Sequence, residues 1–171
     1  MSRLVADASA LVSLGTVAGN EPDPLSMCLA DYDAVVPTAV IQELRETASS
    51  EDAHGRAATA VRERTESLET RSVSLDSGFP LDDRENAPVT LANDIDAALG
   101  LCDESTQLGL IHASLADTRL VTTPTLLSVF VRTERLSVEE ARTLLDEISE
   151  ARTWDGNSYV ERARSMLEPS D

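Results

Sequence analysis

Lysine is absent from this chain: all 14 basic residues among its 171 are arginine. Aromatic residues make up only 3% of the sequence, so the core has to be built from Leu, Val, Ile and Ala, which the 42% hydrophobic content allows. No apolar run approaches the ~18 residues that a membrane span requires. The opening stretch MSRLVADASALVSLG carries Asp7 within its apolar part, where a secretory signal would not place a carboxylate. A cytoplasmic location without membrane association is therefore expected. Cys28 and Cys102 fit no zinc spacing and are expected as buried, reduced thiols. His54 and His112 stand apart from each other and from the cysteines, so no zinc set can be assembled. A Gly-rich phosphate loop is missing, which argues against an NTPase, and no Ser-His-Asp arrangement is visible.

What the chain has in abundance is acid. There are 31 Asp plus Glu, for a net charge of −17, and they are spread along the whole sequence rather than gathered in a tail. An acidic, Lys-free composition resembles that of proteins from salt-in halophiles. Molar salt shortens the screening length to ~3 Å, and dense carboxylates then keep the surface hydrated. The charge reports on the solvent more than on the partner, and nucleic acid is not excluded by it.

The length fits one domain. RLVAD (3–7) reads as a buried strand entering a turn, ASALVSLG (8–15) as a helix stopped at Gly15. LSMCLADY (25–32) is helical. In DAVVPTAVIQELRETASS (33–50), AVV is a brief strand and Pro37 opens a helix whose apolar face is Val40, Ile41 and Leu44, with Glu43 beside it. Residues 51–69 read as a polar helix and RSVSL (71–75) as a strand. Residues 84–96 are helical with Pro88 in the first turn. AALGLCDE (97–104) is a second apolar run ending in acids, followed by a helix (105–116), the strand TRLVTTP (118–124) and the helix TLLSVFVRTERL (125–136). Ser137 and Glu140 make a capping box for the next helix, and GNSYVERARSMLE (156–168) forms the last. Short apolar strands alternating with helices imply an α/β fold: a parallel sheet covered on both faces, with ligands beyond the carboxyl ends of the strands.

Two strands end in a carboxylate at that edge, Asp7 and Asp103. Glu43 and Glu85 each sit early in a helix that follows such a strand. Most acids in this chain are solvated surface groups, but an acid embedded in an apolar run must be paired, capped or metal-bound. For Asp7 the competing role is a helix N-cap on Ala8-Ser9-Ala10.

With these residues in hand the chain resembles the PIN-domain nuclease family, which includes VapC-type toxins and RNA-processing endonucleases. RLVADASALVSL is similar to the family's opening strand and D-x-S/N motif. VVPTAVIQELRET resembles the second motif, and DRENAPVTLANDIDAALGLCDES the third and fourth together. Glu85 and Asp103 stand 18 positions apart, as the family's third and fourth acids do. RLVTTPTLLSVFV resembles the closing strand and helix. Arg84 replaces the family's usual Gly, Cys102 its usual Thr or Ser, and Asp94 and Asp96 compete for the third or fourth position.

The resemblance implies a three-layer α/β/α PIN-like domain over residues 1–136, with a sheet of about five short strands. Residues 137–171 would form a C-terminal helical extension packed on it. It also implies that Asp7, Glu43, Glu85 and Asp103 are the catalytic, metal-binding acids, with Ser9 and Glu104 as secondary site residues. Carboxylates crowded together repel one another, and a hard divalent ion relieves this; oxygen-only ligands select Mg²⁺ or Mn²⁺. Such an ion activates a water and stabilises phosphoryl charge. The implied substrate is single-stranded RNA, and Arg45, Arg84 and Arg119 are candidates to hold it. Arg3 and the Arg56, Arg62 and Arg64 helix are further candidates, although Arg62 and Arg64 are expected to pair with Glu66 and its neighbours. A toxin-type member implies an antitoxin-type protein partner, and relatives of this kind often form homodimers. Two other readings stand beside this one: a non-catalytic PIN-fold scaffold, and a receiver-type doubly wound domain. The latter needs a Lys that this chain lacks.

Overall fold

The computed structural model describes residues 1–103, 107–154 and 158–167. Five short strands, β1 (Arg3–Ala6), β2 (Asp33–Pro37), β3 (Glu69–Arg71), β4 (Leu99–Leu101) and β5 (Arg119–Val121), form one all-parallel sheet in the order β3-β2-β1-β4-β5. The connections are helical: α1 (Ala8–Gly15) and α2 (Pro24–Asp31) between β1 and β2, α3 (Thr38–Ala48) and α4 (Ala53–Arg62) before β3, α5 (Asp83–Asp94) before β4 and α6 (Leu108–Ser114) before β5. After β5 come α7 (Thr123–Arg132), α8 (Val138–Arg152) and α9 (Ser158–Met166). No described helix is long and apolar enough to cross a membrane.

The two-residue period of a strand divides the core. Leu4, Ala6, Ala34, Val36, Leu101 and Val121 point into the larger cluster, which α1, α7 and α8 help to fill through Leu11, Leu14, Leu126, Phe130, Leu145 and Ile148. Val5 and Val35 point the other way, onto Leu91 and Ala92 of α5, while Cys102 and Leu120 meet Val89 of α5 and Leu108 and Ile111 of α6. The result is the three-layer α/β/α arrangement expected from the alternation of strands and helices. Both cysteines are buried, and neither forms a disulfide.

Several local expectations are revised. Helix α1 ends at Gly15 as expected, but not through a left-handed glycine; the positive φ falls at Gly19 (+89°). Gly15 is small because α4 crosses it: a Cβ there would lie 2.5 Å from the carbonyl oxygen of Ala57. Helix α4 is accordingly not a polar helix, since Ala57, Ala58 and Val61 are buried against α1. Pro37 ends β2 and occupies the N-cap position of α3, one residue before the helix begins. The third strand lies at Glu69–Arg71, ahead of the alternating RSVSL, because only this segment aligns with Val35–Pro37; Val73 still packs beneath the sheet without pairing. Pro88 lies inside α5, past the first turn. It leaves the Arg84 carbonyl without its helical donor, a cost of about 3 kcal/mol. Burial of Pro88, Val89, Leu91 and Ala92 against the sheet offsets it. The capping box of α8 is present, with Glu140 N–H donating to Ser137 Oγ at 3.0 Å and Ser137 N–H to Glu140 Oε1 at 2.9 Å.

Candidate functional site

The strand order reverses at β1, whose neighbours are β2 and β4, so the crevice of this fold lies outside the carboxyl ends of β1 and β4. Asp7 follows β1 directly, and Asp103 lies two residues past the end of β4, after Cys102. The ladder carries on past the strands: Asp7 N–H donates to the Leu101 carbonyl at 2.9 Å and Cys102 N–H to the Val121 carbonyl at 3.0 Å. This locks the two acids side by side.

Asp7 is 8% exposed. It is the N-cap of α1, as the competing reading supposed, with Oδ1 accepting from Ala8 N–H at 2.8 Å. The cap consumes one oxygen. The other, Oδ2, accepts from the Ser9 hydroxyl at 3.0 Å and from the Cys102 thiol at 3.4 Å. Burial pushes the carboxyl above the usual range; the Ser9, Cys102 and Ala8 bonds oppose this, and the charge of Asp103 adds to it. Ser9 also takes the Asp103 N–H at 3.1 Å, so one hydroxyl spans both acids. Asp103 Oδ1 is fixed by the Thr123 N–H at 2.7 Å, at the start of α7, and its Oδ2 is buried without a hydrogen-bond partner. Its pKa too is raised, first by burial, against the pull of the Thr123 N–H, the nearby hydroxyls and the Arg152 guanidinium.

Glu43 reaches the same rim from α3. Its carboxyl is pushed up to about 7, chiefly by burial and then by the charge of Asp7, with Asp82 and Glu46 adding and Arg84 opposing. Glu43 Oε1 is buried and unpartnered. Helix α5 runs back along the sheet, so its first turn lies at the carboxyl edge, where Asp82 caps it by accepting from Arg84 and Glu85 N–H. Glu85 therefore faces the rim, and its Oε2 is again buried without a partner. Glu85, Asp7 and Cys102 line one mostly apolar cavity of about 20 Å³, room for about one water.

The competing acids fall at the wrong end. Asp94 closes α5 and Asp96 (φ +50°) precedes β4, both at the amino edge of the sheet. Glu104 lies outside the described residues. Among the described residues no three His, Cys, Asp or Glu side chains are drawn together as a ready cation cluster. The donor chemistry nevertheless fits a hard cation: carboxylate oxygens only, three of them buried with nothing to bond.

The arginines divide. Arg84 lies beside Glu43 at the site. Arg45 lines a shallow depression with Thr38, Gln42 and Thr70, next to α3. Arg119 starts β5 and so lies at the opposite end of its strand from Asp103. Arg3 likewise begins β1 and donates to the Ile95 carbonyl at 3.4 Å. Arg64 is not paired with Glu66 but reaches Asp23 at 3.1 Å.

Two contributors had little or no signal in the sequence. Arg152, from the last turn of α8, donates to the Ser9 carbonyl at 3.5 Å and bears on Asp103. Thr123 supplies the N–H that orients Asp103, and only the strand-to-helix register of TTP hints at that. No protein-family model matches the chain, and no curated protein aligns with it at a significant level.

Proposed function

We propose that the chain is a metal-dependent endoribonuclease of the PIN type that hydrolyses phosphodiester bonds of single-stranded RNA. One observation carries this reading: Glu43 Oε1, Glu85 Oε2 and Asp103 Oδ2 are buried without partners, beside Asp7, at the carboxyl edge. An orphaned buried carboxylate oxygen costs several kcal/mol unless something compensates it. Three along one edge of the sheet favour a cation there. Asp7, Glu43, Glu85 and Asp103 would hold Mg²⁺ or Mn²⁺, which when bound supplies an activated water and stabilises charge on the phosphoryl oxygens. Ser9 orients Asp7 and Asp103 together, Thr123 and the Cys102 thiol fix their remaining faces, and one carboxylate of the set takes the attacking water's proton. Arg84 is placed to meet a phosphate at the rim. A cytoplasmic setting, a salt-rich one in keeping with the acidic Lys-free composition, belongs to the same reading. So do a toxin-like or RNA-processing role, an antitoxin-type partner and a homodimer.

The test is cleavage of single-stranded RNA with Mn²⁺ in molar salt. Asp7→Asn is expected to lower the rate by more than the roughly 100-fold that loss of a supporting residue costs at a metal site. Equal rates for Asp7→Asn and the parent remove the catalytic assignment. A second reading, a non-catalytic scaffold of the same fold, is favoured by the lack of a closed three-ligand cluster among the described residues. It predicts no Mn²⁺-dependent cleavage and full tolerance of Asp7→Asn.

A further inference from the structure

A cleft of about 570 Å³ lies between α6, β5, α7 and α9, within the size range of small-ligand sites. Three arginines line it, Arg119, Arg132 and Arg162, together with His112 and the hydroxyl residues Thr122 and Thr125. Acids outnumber bases 31 to 14 in the chain, yet no Asp or Glu lines this cleft among the described residues. Four arginines elsewhere are ion-paired, Arg64 with Asp23, Arg71 with Glu69, Arg135 with Asp31 and Arg164 with Asp146, but no other cavity described brings three arginines together. Arg119, Arg132 and Arg162 are exposed and have no acidic partner among the described residues.

Three unpaired guanidinium groups kept clear of carboxylates on so acidic a chain form an anion site. Guanidinium is the side chain that matches phosphate oxygens in a bidentate fork. In molar salt, steering over distances beyond ~3 Å is lost, and only such direct contacts hold a polyanion. The cleft is also joined to the acid rim: Thr122, on its wall, caps the helix whose next residue, Thr123, donates to Asp103. We propose that this cleft binds the sugar-phosphate backbone of the RNA strand that enters the acid site, with Arg119, Arg132 and Arg162 on successive phosphates. The proposal rests on the nuclease reading for the identity of the strand. It gives Arg119, which lies away from the acids, a role outside the reaction centre.

The experiment uses the full chain carrying Asp7→Asn, to prevent cleavage, and follows the anisotropy of a labelled, unstructured oligouridine across a salt series. Adding Arg119→Gln, Arg132→Gln and Arg162→Gln should weaken binding at least about 10-fold. It should also flatten the slope of log affinity against log salt by about 0.7 per arginine removed. Unchanged melting temperature and an unchanged Mn²⁺-induced stabilisation in the triple variant establish that the fold and acid site are intact. Affinity and slope equal to the parent's overturn the cleft while leaving the nuclease reading standing. Loss of binding in the triple variant, alongside no cleavage by the unsubstituted chain, keeps the cleft and removes the nuclease. Polyglutamate displacing the RNA as well as unlabelled oligouridine does, or no RNA bound at all, also overturns it.

Discussion

The Cys102 thiol donates to Asp7 Oδ2 at 3.4 Å, from the end of the strand next to the one that Asp7 follows. It makes the cysteine part of the acid crevice as well as of the core. A thiol is a weak donor, so a hydroxyl in its place strengthens the bond, and a methyl group removes it. A hydrogen bond to a charged group contributes about 1.5–3 kcal/mol, and a thiol's share lies at or below the bottom of that range. Cys102→Ser is therefore expected to cleave RNA at least as fast as the parent at fixed Mn²⁺. Cys102→Ala should be slower by several-fold. A faster Cys102→Ala than Cys102→Ser contradicts the donor role, and rate constants at saturating RNA decide between them.

The raised pKa values give a direction for stability against pH. Glu43 titrates near 4.5 when unfolded and is pushed up to about 7 in the folded chain; Asp7 and Asp103 are shifted the same way. Between those values the folded state binds more protons than the unfolded one, so stability falls as pH rises. In chelator the melting temperature should be highest below about pH 5 and should decline as pH rises through 7. Glu43→Gln should flatten the upper part of that decline. A melting temperature that rises with pH over this window contradicts the burial of these carboxyls.

Cation binding should reverse that loss. A ligand that binds only the folded state stabilises it by about 2.7 kcal/mol at one hundred times its Kd. That is on the order of 5–10 °C for a chain of this size. The Mn²⁺-induced shift is expected to grow from pH 5 to pH 8, because the cation competes with protons for the same oxygens. Glu43→Gln, Glu85→Gln and Asp103→Asn should each reduce it, whereas Asp94→Asn and Asp96→Asn, at the far edge of the sheet, should leave it unchanged. Scanning calorimetry on the five variants separates the two groups.

Asp7 and Asp103 were legible in the sequence because each closes a short apolar run, and a parallel sheet sends such ends to one edge. Asp96 was disfavoured in the sequence because it precedes its apolar run rather than ending it, and the course of α5 places both Asp94 and Asp96 at the other edge. Glu43 and Glu85 were legible in position but not in environment: the unpartnered oxygens depend on how α3 and α5 pack. Arg152 was invisible, since nothing local says that the last turn of α8 returns to Ser9. The strand β3 was misplaced because it is an edge strand of three residues with little burial, and its ladder to β2 rather than its side-chain pattern defines it. The helix end at Gly15 was legible, but the reason for a glycine there was not. A glycine at a helix end signals a turn locally, whereas here a crossing helix from 40 residues away sets the requirement.

That crossing makes Gly15→Ala a clean contest between two effects. Helix propensity favours alanine by about 1 kcal/mol. The new Cβ, however, would meet the Ala57 carbonyl oxygen at 2.5 Å and the Val61 side chain at 3.1 Å. Backbone cannot rotate away as a side chain can, so α1 and α4 must separate, and overpacking of this kind costs about 1–3 kcal/mol. The contact is expected to win, lowering the melting temperature by several degrees. A stabilised Gly15→Ala would show that the two helices yield.

Helices α8 and α9 bury Ala141, Leu144, Leu145, Ile148, Val160 and Ala163 against the rest of the chain, and Leu167, which follows α9, is buried with them. Each large apolar side chain contributes about 1.5–3 kcal/mol on burial, and the five large ones together are comparable to the 5–15 kcal/mol of net stability usual for a domain. Removing them also bares Leu126, Leu127 and Phe130 of α7, now 0–1% exposed. A chain ending at Leu136 is therefore expected to lose cooperative melting and to bind a hydrophobic dye. If it instead melted cooperatively and kept the Mn²⁺-induced shift, the C-terminal helices would be an addition to a self-sufficient domain, and the place of Arg152 beside Asp103 would be incidental.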